Sequence, residues 1–256
     1  MILAEVAAAE PSAAMEILWV ALPYTVIATM VTGLIWRYRY DKFGWTTRSS
    51  QLYEKRLLRI ASPLFHFGML AVIAGHVIGL MIPESWTEAM GITEHTYHVL
   101  TLPLSLVAGA CTIVGLALLI YRRRTVTRVL ERTSTGDKIM YVFLGLAVTL
   151  GVLASWWASG IFNDGHNYRE DVSVWFRSIL IFQPDGAAMA GAPMWFQLHA
   201  IAGMLLFAIW PFTRLVHVFS APLQYVARPY VVYRSRDAQP TGNRAPRRGW
   251  EPSRRD

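Results

Sequence analysis

The chain has 256 residues, 54% of them hydrophobic, with a mean hydropathy of +0.33 and a formal net charge of +7. That is too apolar for a water-soluble domain of this length. A nucleic-acid surface is the weaker reading of the positive charge, because the basic residues flank apolar runs and do not cluster on a polar fold.

Residues 1–16, "MILAEVAAAEPSAAME", lack the basic start of a signal peptide and read as an outer segment leading into an uncleaved first span. Five apolar runs follow, at residues 17–36, 60–82, 99–121, 139–162 and 194–219. Each is long enough to cross a bilayer, for which about 20 residues suffice. The first four contain no Asp, Glu, Lys or Arg, and the fifth contains only Arg214. A backbone in lipid must satisfy its own hydrogen bonds, so the runs predict five transmembrane helices in an all-α integral membrane protein. The alternating ten-residue segments of a membrane barrel are not found.

The loops between the runs carry an alternating basic charge. Lys plus Arg number none before the first run, seven in 37–59, none in 83–98, six in 122–138, two in 163–193, and nine from Arg214 onward. Basic loops stay in the cytoplasm, which predicts the N-terminus outside and the C-terminus cytoplasmic. The chain then divides into an outer segment (1–16), a five-helix membrane domain (17–219) and a cytoplasmic tail (220–256). From about Asp237 the tail is rich in Pro, Gly and Arg and is predicted disordered. The stretch "VWFRSILIF" at 174–182 is too short to span and predicts an interfacial helix.

The single Cys111 excludes a disulfide framework, a cysteine-ligated cluster and covalent C-x-x-C-H haem attachment. Histidine is the informative residue. Of seven, His66 and His76 lie in the second run and His199 and His217 in the fifth. An imidazole in hydrocarbon is expensive unless something binds it. The two runs are antiparallel, so His66 and His217 share the inner depth, and His76 and His199 the outer. One metal bridged between each pair would bring two helices too close. A porphyrin with iron ligated on both faces fills a wider gap, and histidine is a standard axial ligand. On straight helices the two intervals rise about 15 and 27 Å, giving a mean iron separation of about 21 Å. Eighteen residues are five full turns, which would place His199 and His217 on one face. Gly68, Gly75 and Gly79 would let a bulky ring approach the second helix. Two non-covalent b haems between the second and fifth helices is the resulting expectation. A transition-metal transporter would add acidic or thiolate ligands within the spans, and the spans have none beyond Cys111.

The stretches "ASPLFHFGMLAVIAGHVIG" and "LHAIAGMLLFAIWPFTRLVHVFSAPLQYVARPYVVYR" closely resemble the gamma subunit of membrane-bound respiratory nitrate reductase. The likeness runs from the first span to about Arg236, and histidine stands at all four ligand positions of that family. The resemblance implies a di-haem cytochrome b subunit in the cell membrane. It implies quinol oxidation near the outer haem, between His76 and His199. Electrons would pass to the inner haem, between His66 and His217. They would then reach an iron–sulfur beta subunit and a molybdenum-containing alpha subunit on the cytoplasmic side, where nitrate becomes nitrite. Residues 220–236 would be a docking surface for those partners.

One region departs from the family pattern. Members carry a lysine between spans two and three, associated with the quinol site, and here Thr96 occupies that place. His98 and His95 are then the candidates to accept the quinol protons, since imidazole titrates near neutrality, with Glu94 beside them. Arg214, three residues before His217, is expected either to neutralise an inner-haem propionate or to snorkel to the surface. Trp156 and Trp157 are assigned to an outer aromatic belt. Two other classes stay open at this point. One is a di-haem membrane subunit of a sulfite- or heterodisulfide-reductase-type complex; the other is a non-redox membrane protein.

Overall fold

A computed structural model describes residues 12–45, 49–160 and 165–220. The docking and disorder expected of the tail from residue 221 lie outside the described residues. Those described are helical or irregular, with no strand among them. Five helices are long and apolar enough to cross a membrane: Ala13–Tyr40, Leu58–Met81, Glu94–Thr125, Thr135–Ala158 and Met194–Phe212. They are named here the first to fifth spans.

The first four spans begin before the apolar stretches that mark them. The first begins at Ala13, capped by Ser12, whose hydroxyl accepts from the Met15 N–H. The third starts five residues early, with Thr93 as its cap, and so takes His95 and His98 into its opening turns. The fourth starts at Thr135 on a reciprocal cap: the Ser134 hydroxyl accepts from the Asp137 N–H, and the Asp137 carboxylate from the Ser134 N–H. Polar helix ends keep the helical ladder going beyond the apolar core, since caps satisfy the orphan backbone groups.

The fifth span departs most from expectation. Its α-helix ends at Ile209, and a short 3₁₀ turn, Trp210–Phe212, follows. The chain is extended at Thr213 and then enters a second 3₁₀ turn, Arg214–Val218. Pro211 is the cause: it has no N–H to donate, and its ring excludes the preceding helical carbonyl. The five-turn argument that put His199 and His217 on one helical face therefore fails.

Packing is uneven. The second span lies tightly along the third, and the fifth packs on the fourth and the first. The second and fifth are not among the closely packed pairs. Small residues set the tightest crossing. A Cβ on Gly115 would fall 2.5 Å from the Phe65 backbone nitrogen, and one on Gly68 would fall 2.7 Å from the Thr112 hydroxyl. Without a hydrophobic drive between helices in lipid, such close backbone approach supplies much of the association.

The predicted helix forms as Val172–Leu180 and packs on the first span. Trp175 is buried edge-on against Trp19, ring centres 5.7 Å apart, and its indole N–H donates to the Trp19 carbonyl at 2.8 Å. Val172 and Ile179 are buried on the same face. A buried indole needs an acceptor, and the first span provides one.

Arginines tie the ends together. Arg122, 2% exposed, donates to the Glu54 carboxylate at 2.6 Å, to the Ser50 hydroxyl and to the Ser50 and Glu54 carbonyls. It pins the loop between the first two spans to the third. Burial pushes the Glu54 carboxyl up, but the Leu57 N–H and Arg122 outweigh it and hold the group below its ordinary value. A depressed carboxyl stabilises the fold above its unfolded pKa and loses that contribution as pH falls through its folded one. Arg122→Ala is expected to destabilise the detergent-solubilised protein by about 3 kcal/mol, because Glu54 loses its partner. In thermal unfolding the parent should weaken as pH drops below about 4, and Arg122→Ala should show less of that acid dependence.

Candidate functional site

Each of the four histidines of the second and fifth apolar runs is held by a backbone carbonyl. His66 Nδ1 lies 2.7 Å from the Ser62 carbonyl, and His76 Nδ1 2.8 Å from the Val72 carbonyl, each one helical turn back. His199 Nδ1 lies 3.0 Å from the Ala147 carbonyl on the fourth span. His217 Nδ1 lies 2.6 Å from the Arg214 carbonyl. A carbonyl only accepts, so Nδ1 carries the proton in all four rings. A neutral imidazole has one N–H, which leaves Nε2 as a lone pair.

The rings then meet in pairs, His76 with His199 of the fifth span and His66 with His217 of the turn that follows it. His76 and His199 ring centres are 5.8 Å apart, with their Nε2 atoms 3.5 Å from each other. His66 and His217 ring centres are 6.1 Å apart. Two lone pairs face each other at the first pair, which calls for an electron-pair acceptor between them. Imidazole–metal bonds of about 2.0 Å in line would need nitrogens about 4 Å apart, within half an ångström of the separation present. Among the described residues no group of three or more His, Cys, Asp or Glu side chains forms a metal-holding cluster. Each pair offers two imidazole rings and no further side-chain donor among the described residues, which would suit a metal whose other ligands come with its own ring. The residues fit haem.

The setting of His199 depends on a glycine that sequence reading passed over. Its ring lies close against the fourth span, where a Cβ on Gly151 would come within 2.8 Å of Cε1. Of the three glycines named from sequence, Gly68 serves the contact with Thr112, Gly79 the contact with the Tyr168 hydroxyl, and Gly75 faces open space. Arg214 is also redefined. Its guanidinium forks onto Asp137, Nε to Oδ1 at 2.7 Å and NH2 to Oδ2 at 3.2 Å. The fork spends Nε and NH2 on a carboxylate, so Arg214 is an ion-pair partner and not a lone snorkelling charge.

Beyond the His76 end lies a polar group that sequence spacing did not reveal. Arg169, 2% exposed, donates to Glu94 at 3.1 Å and to the Thr87 hydroxyl at 3.0 Å, and lies 4.1 Å over the Tyr97 ring. Arg177 donates to the Leu80 carbonyl at 3.2 Å. The only two basic residues of 163–193 are therefore spent on the end of the second span and its neighbours. Tyr168, hydroxyl to hydroxyl with Tyr97 at 3.2 Å, stacks on Phe196. Burial, with Tyr97 beside it, pushes the Tyr168 phenol up, so it stays a neutral hydroxyl. His95 and Thr96 are exposed on the third span, and His98 is half-buried. His166 sits apart from the four paired rings in the described contacts, 2.9 Å from Asp171.

Five apolar spans, with two pairs of imidazoles that join the second span to the fifth and the turn after it, define a multi-pass helical membrane protein. The chain belongs to the nitrate reductase gamma subunit family, whose model matches residues 15–236. It is similar to the nitrate reductase gamma chain of Bacillus subtilis, 44% identical over 221 residues, covering 86% of this chain and 98% of that one. It is also similar to the respiratory nitrate reductase 2 gamma chain of Escherichia coli, 35% identical over 215 residues, covering 84% and 94%. A nitrate reductase-like protein, NarX, of Mycobacterium tuberculosis is 55% identical over 235 residues, 92% of this chain. The chain spans only 36% of that protein's length.

Proposed function

We propose that this chain is the di-haem cytochrome b subunit of a respiratory nitrate reductase in the cell membrane, oxidising quinol on the outer side. The opposed Nε2 atoms of His76 and His199 carry the reading. In this proposal His76 and His199 hold the outer haem, and His66 and His217 the inner one. Each haem, when bound, supplies a one-electron carrier. The chain's own residues do the rest. Each Nδ1–H···O=C bond fixes ring orientation and leaves Nε2 as the ligand, the outer-shell support that ligating histidines usually have. The loop charges orient the protein with its N-terminus outside and its C-terminus in the cytoplasm.

Quinol loses two electrons and two protons. His98, half-buried near the start of the third span, is at a depth a lipid-borne ring can reach, and it takes the first proton. His95, nearly one turn further out and exposed, passes a proton to water. Protons leave outward and electrons inward, to iron–sulfur and molybdenum subunits on the cytoplasmic side, so charge separates without a proton channel.

The test is a purified intact complex. It should show two extractable haems per chain, co-purifying iron–sulfur and molybdenum subunits, and haem reduction by quinol as well as by dithionite. A reduced-minus-oxidised spectrum without a b-type signal overturns the reading. His98→Phe keeps bulk and removes the proton acceptor. Quinol-driven haem reduction should slow about 10²-fold, the usual scale of positioned proton transfer, with dithionite reduction unchanged. Normal quinol kinetics in both His98→Phe and His95→Phe would take these side chains out of the mechanism.

A further inference from the structure

His217 stands beyond the fifth span, in the second 3₁₀ turn that follows its α-helix. Between Ile209 and Val218 the backbone passes through two 3₁₀ turns and an extended residue, so the register of the α-helix does not set where its ring points. Something else must. Two other spans grip this segment. Arg37 of the first span donates to the Pro211 carbonyl at 2.9 Å. Asp137 of the fourth receives both branches of the Arg214 fork, and the Arg214 carbonyl is the acceptor for His217 Nδ1. The Asp137 carboxylate is itself fixed by the Ser134 N–H at 3.1 Å and approached by Arg123 at 4.0 Å. Asp137 is 6% exposed and Val216 fully buried. The chain of contact runs from Asp137 through the planar Arg214 fork and its own carbonyl to the ring that faces His66.

We propose that the Asp137–Arg214 ion pair is the positioning device for His217, and that it sets the orientation and electronic character of the ligand at the His66–His217 site alone. This rests on the haem reading above. A bidentate carboxylate–guanidinium pair fixes direction as well as distance, which a lysine in place of Arg214 would not. Removing a partner that orients a metal-binding histidine commonly lowers affinity 10–100-fold. No equivalent clamp is required at His66, His76 or His199, whose carbonyl partners sit within regular helices.

The experiment uses the intact complex in native membranes, with the parent, Asp137→Asn, Arg214→Gln, the double variant, and the conservative Asp137→Glu and Arg214→Lys. His217→Ala identifies which low-spin haem signal belongs to the site. Asp137→Asn and Arg214→Gln should each shift the resonance position and midpoint potential of that signal and leave the other unchanged. Loss of that haem to a competing apoprotein should rise about 10–100-fold. The double variant should be no worse than either single one, since both break one unit. Asp137→Glu retains the cap and the ion pair and should restore the parental signal; Arg214→Lys keeps the charge without the fork and should restore it only in part. An unchanged His217-dependent signal in both single variants overturns the clamp. So does an equal disturbance of both haem signals, which would mark a general structural role. If the single variants do not assemble, a parental signal in Arg214→Lys overturns it instead. A parent without haem, or a His217→Ala variant that keeps both signals, overturns the haem reading itself and the clamp with it.

Discussion

His76→Ala and His199→Ala, each placed in the intact complex, are expected to remove the same haem signal and lower the haem content from two per chain to one. His66→Ala and His217→Ala should remove the other. The pairing follows from the two ring contacts, 5.8 Å at one depth and 6.1 Å at the other. A bis-imidazole iron that loses one axial nitrogen keeps only half its protein bonds, in a groove that offers no third donor among the described residues. Quinol-driven turnover should fall to background in all four, since electrons must pass both sites. Where the block falls distinguishes them. With His66→Ala or His217→Ala, quinol should still reduce the remaining haem. With His76→Ala or His199→Ala it should not, while dithionite reduces the remaining haem directly. Paramagnetic resonance of the four membranes decides the matter: if His66→Ala and His76→Ala abolished one and the same signal, the pairing across spans would be wrong.

Gly151→Val should be nearly as damaging as loss of His199 itself, although it touches no ligand atom by bond. A Cβ there would stand 2.8 Å from Cε1, 3.2 Å from Nδ1 and 3.4 Å from Nε2 of the His199 ring. Even one methyl group must push the ring from the Ala147 carbonyl, and a branched side chain leaves it no place on the fourth span. Gly151→Ala is expected to weaken haem retention at that site about 10–100-fold, and Gly151→Val to empty it. The sign of the stability change separates this from general damage. Alanine is the better helix former by about 0.5–1 kcal/mol, so Gly151→Ala should leave the thermal stability of the haem-stripped protein unchanged or slightly raised. A destabilised stripped protein with normal haem content would rule the steric account out.

Much of the helical framework is legible in the sequence because lipid is an undemanding solvent to read. Apolar runs of about 20 residues have no other structure open to them, and five such runs give five spans. Span ends are less legible, since Thr93 and Ser134 cap helices from outside the apolar stretch. The break in the fifth span has a visible sign, Pro211 within "WPFT", but the strength of the apolar run masks it. The four paired histidines stand out by residue type alone. What holds them does not, because a carbonyl of Ser62 or Ala147 carries no signature in its side chain. Gly151 lies 48 residues from His199 and Arg169 75 from Glu94, and one chain without its folded partners gives no reason to join them. The tie of the Val172–Leu180 helix to the first span is unreadable for a like reason: its apolar face suits a membrane surface and the indole of Trp19 equally well.

The loose packing between the second and fifth spans has a consequence for how the protein is made. The second span is locked to the third by backbone contact, the third packs on the fourth, and the fifth on the fourth and first, so the bundle is a run of packed helices with one open seam, between the second span and the fifth. Under the haem reading that seam is closed by a small molecule the ribosome does not supply. A ligand that binds only the closed form stabilises it in proportion to the logarithm of its free concentration. Before loading, the seam exposes histidines and apolar faces of the kind that membrane proteases and chaperones recognise. The amount of mature subunit in a cell would then follow porphyrin supply as closely as it follows the rate of translation. Starving cells of haem precursors should deplete the protein post-translationally, with its messenger RNA unchanged.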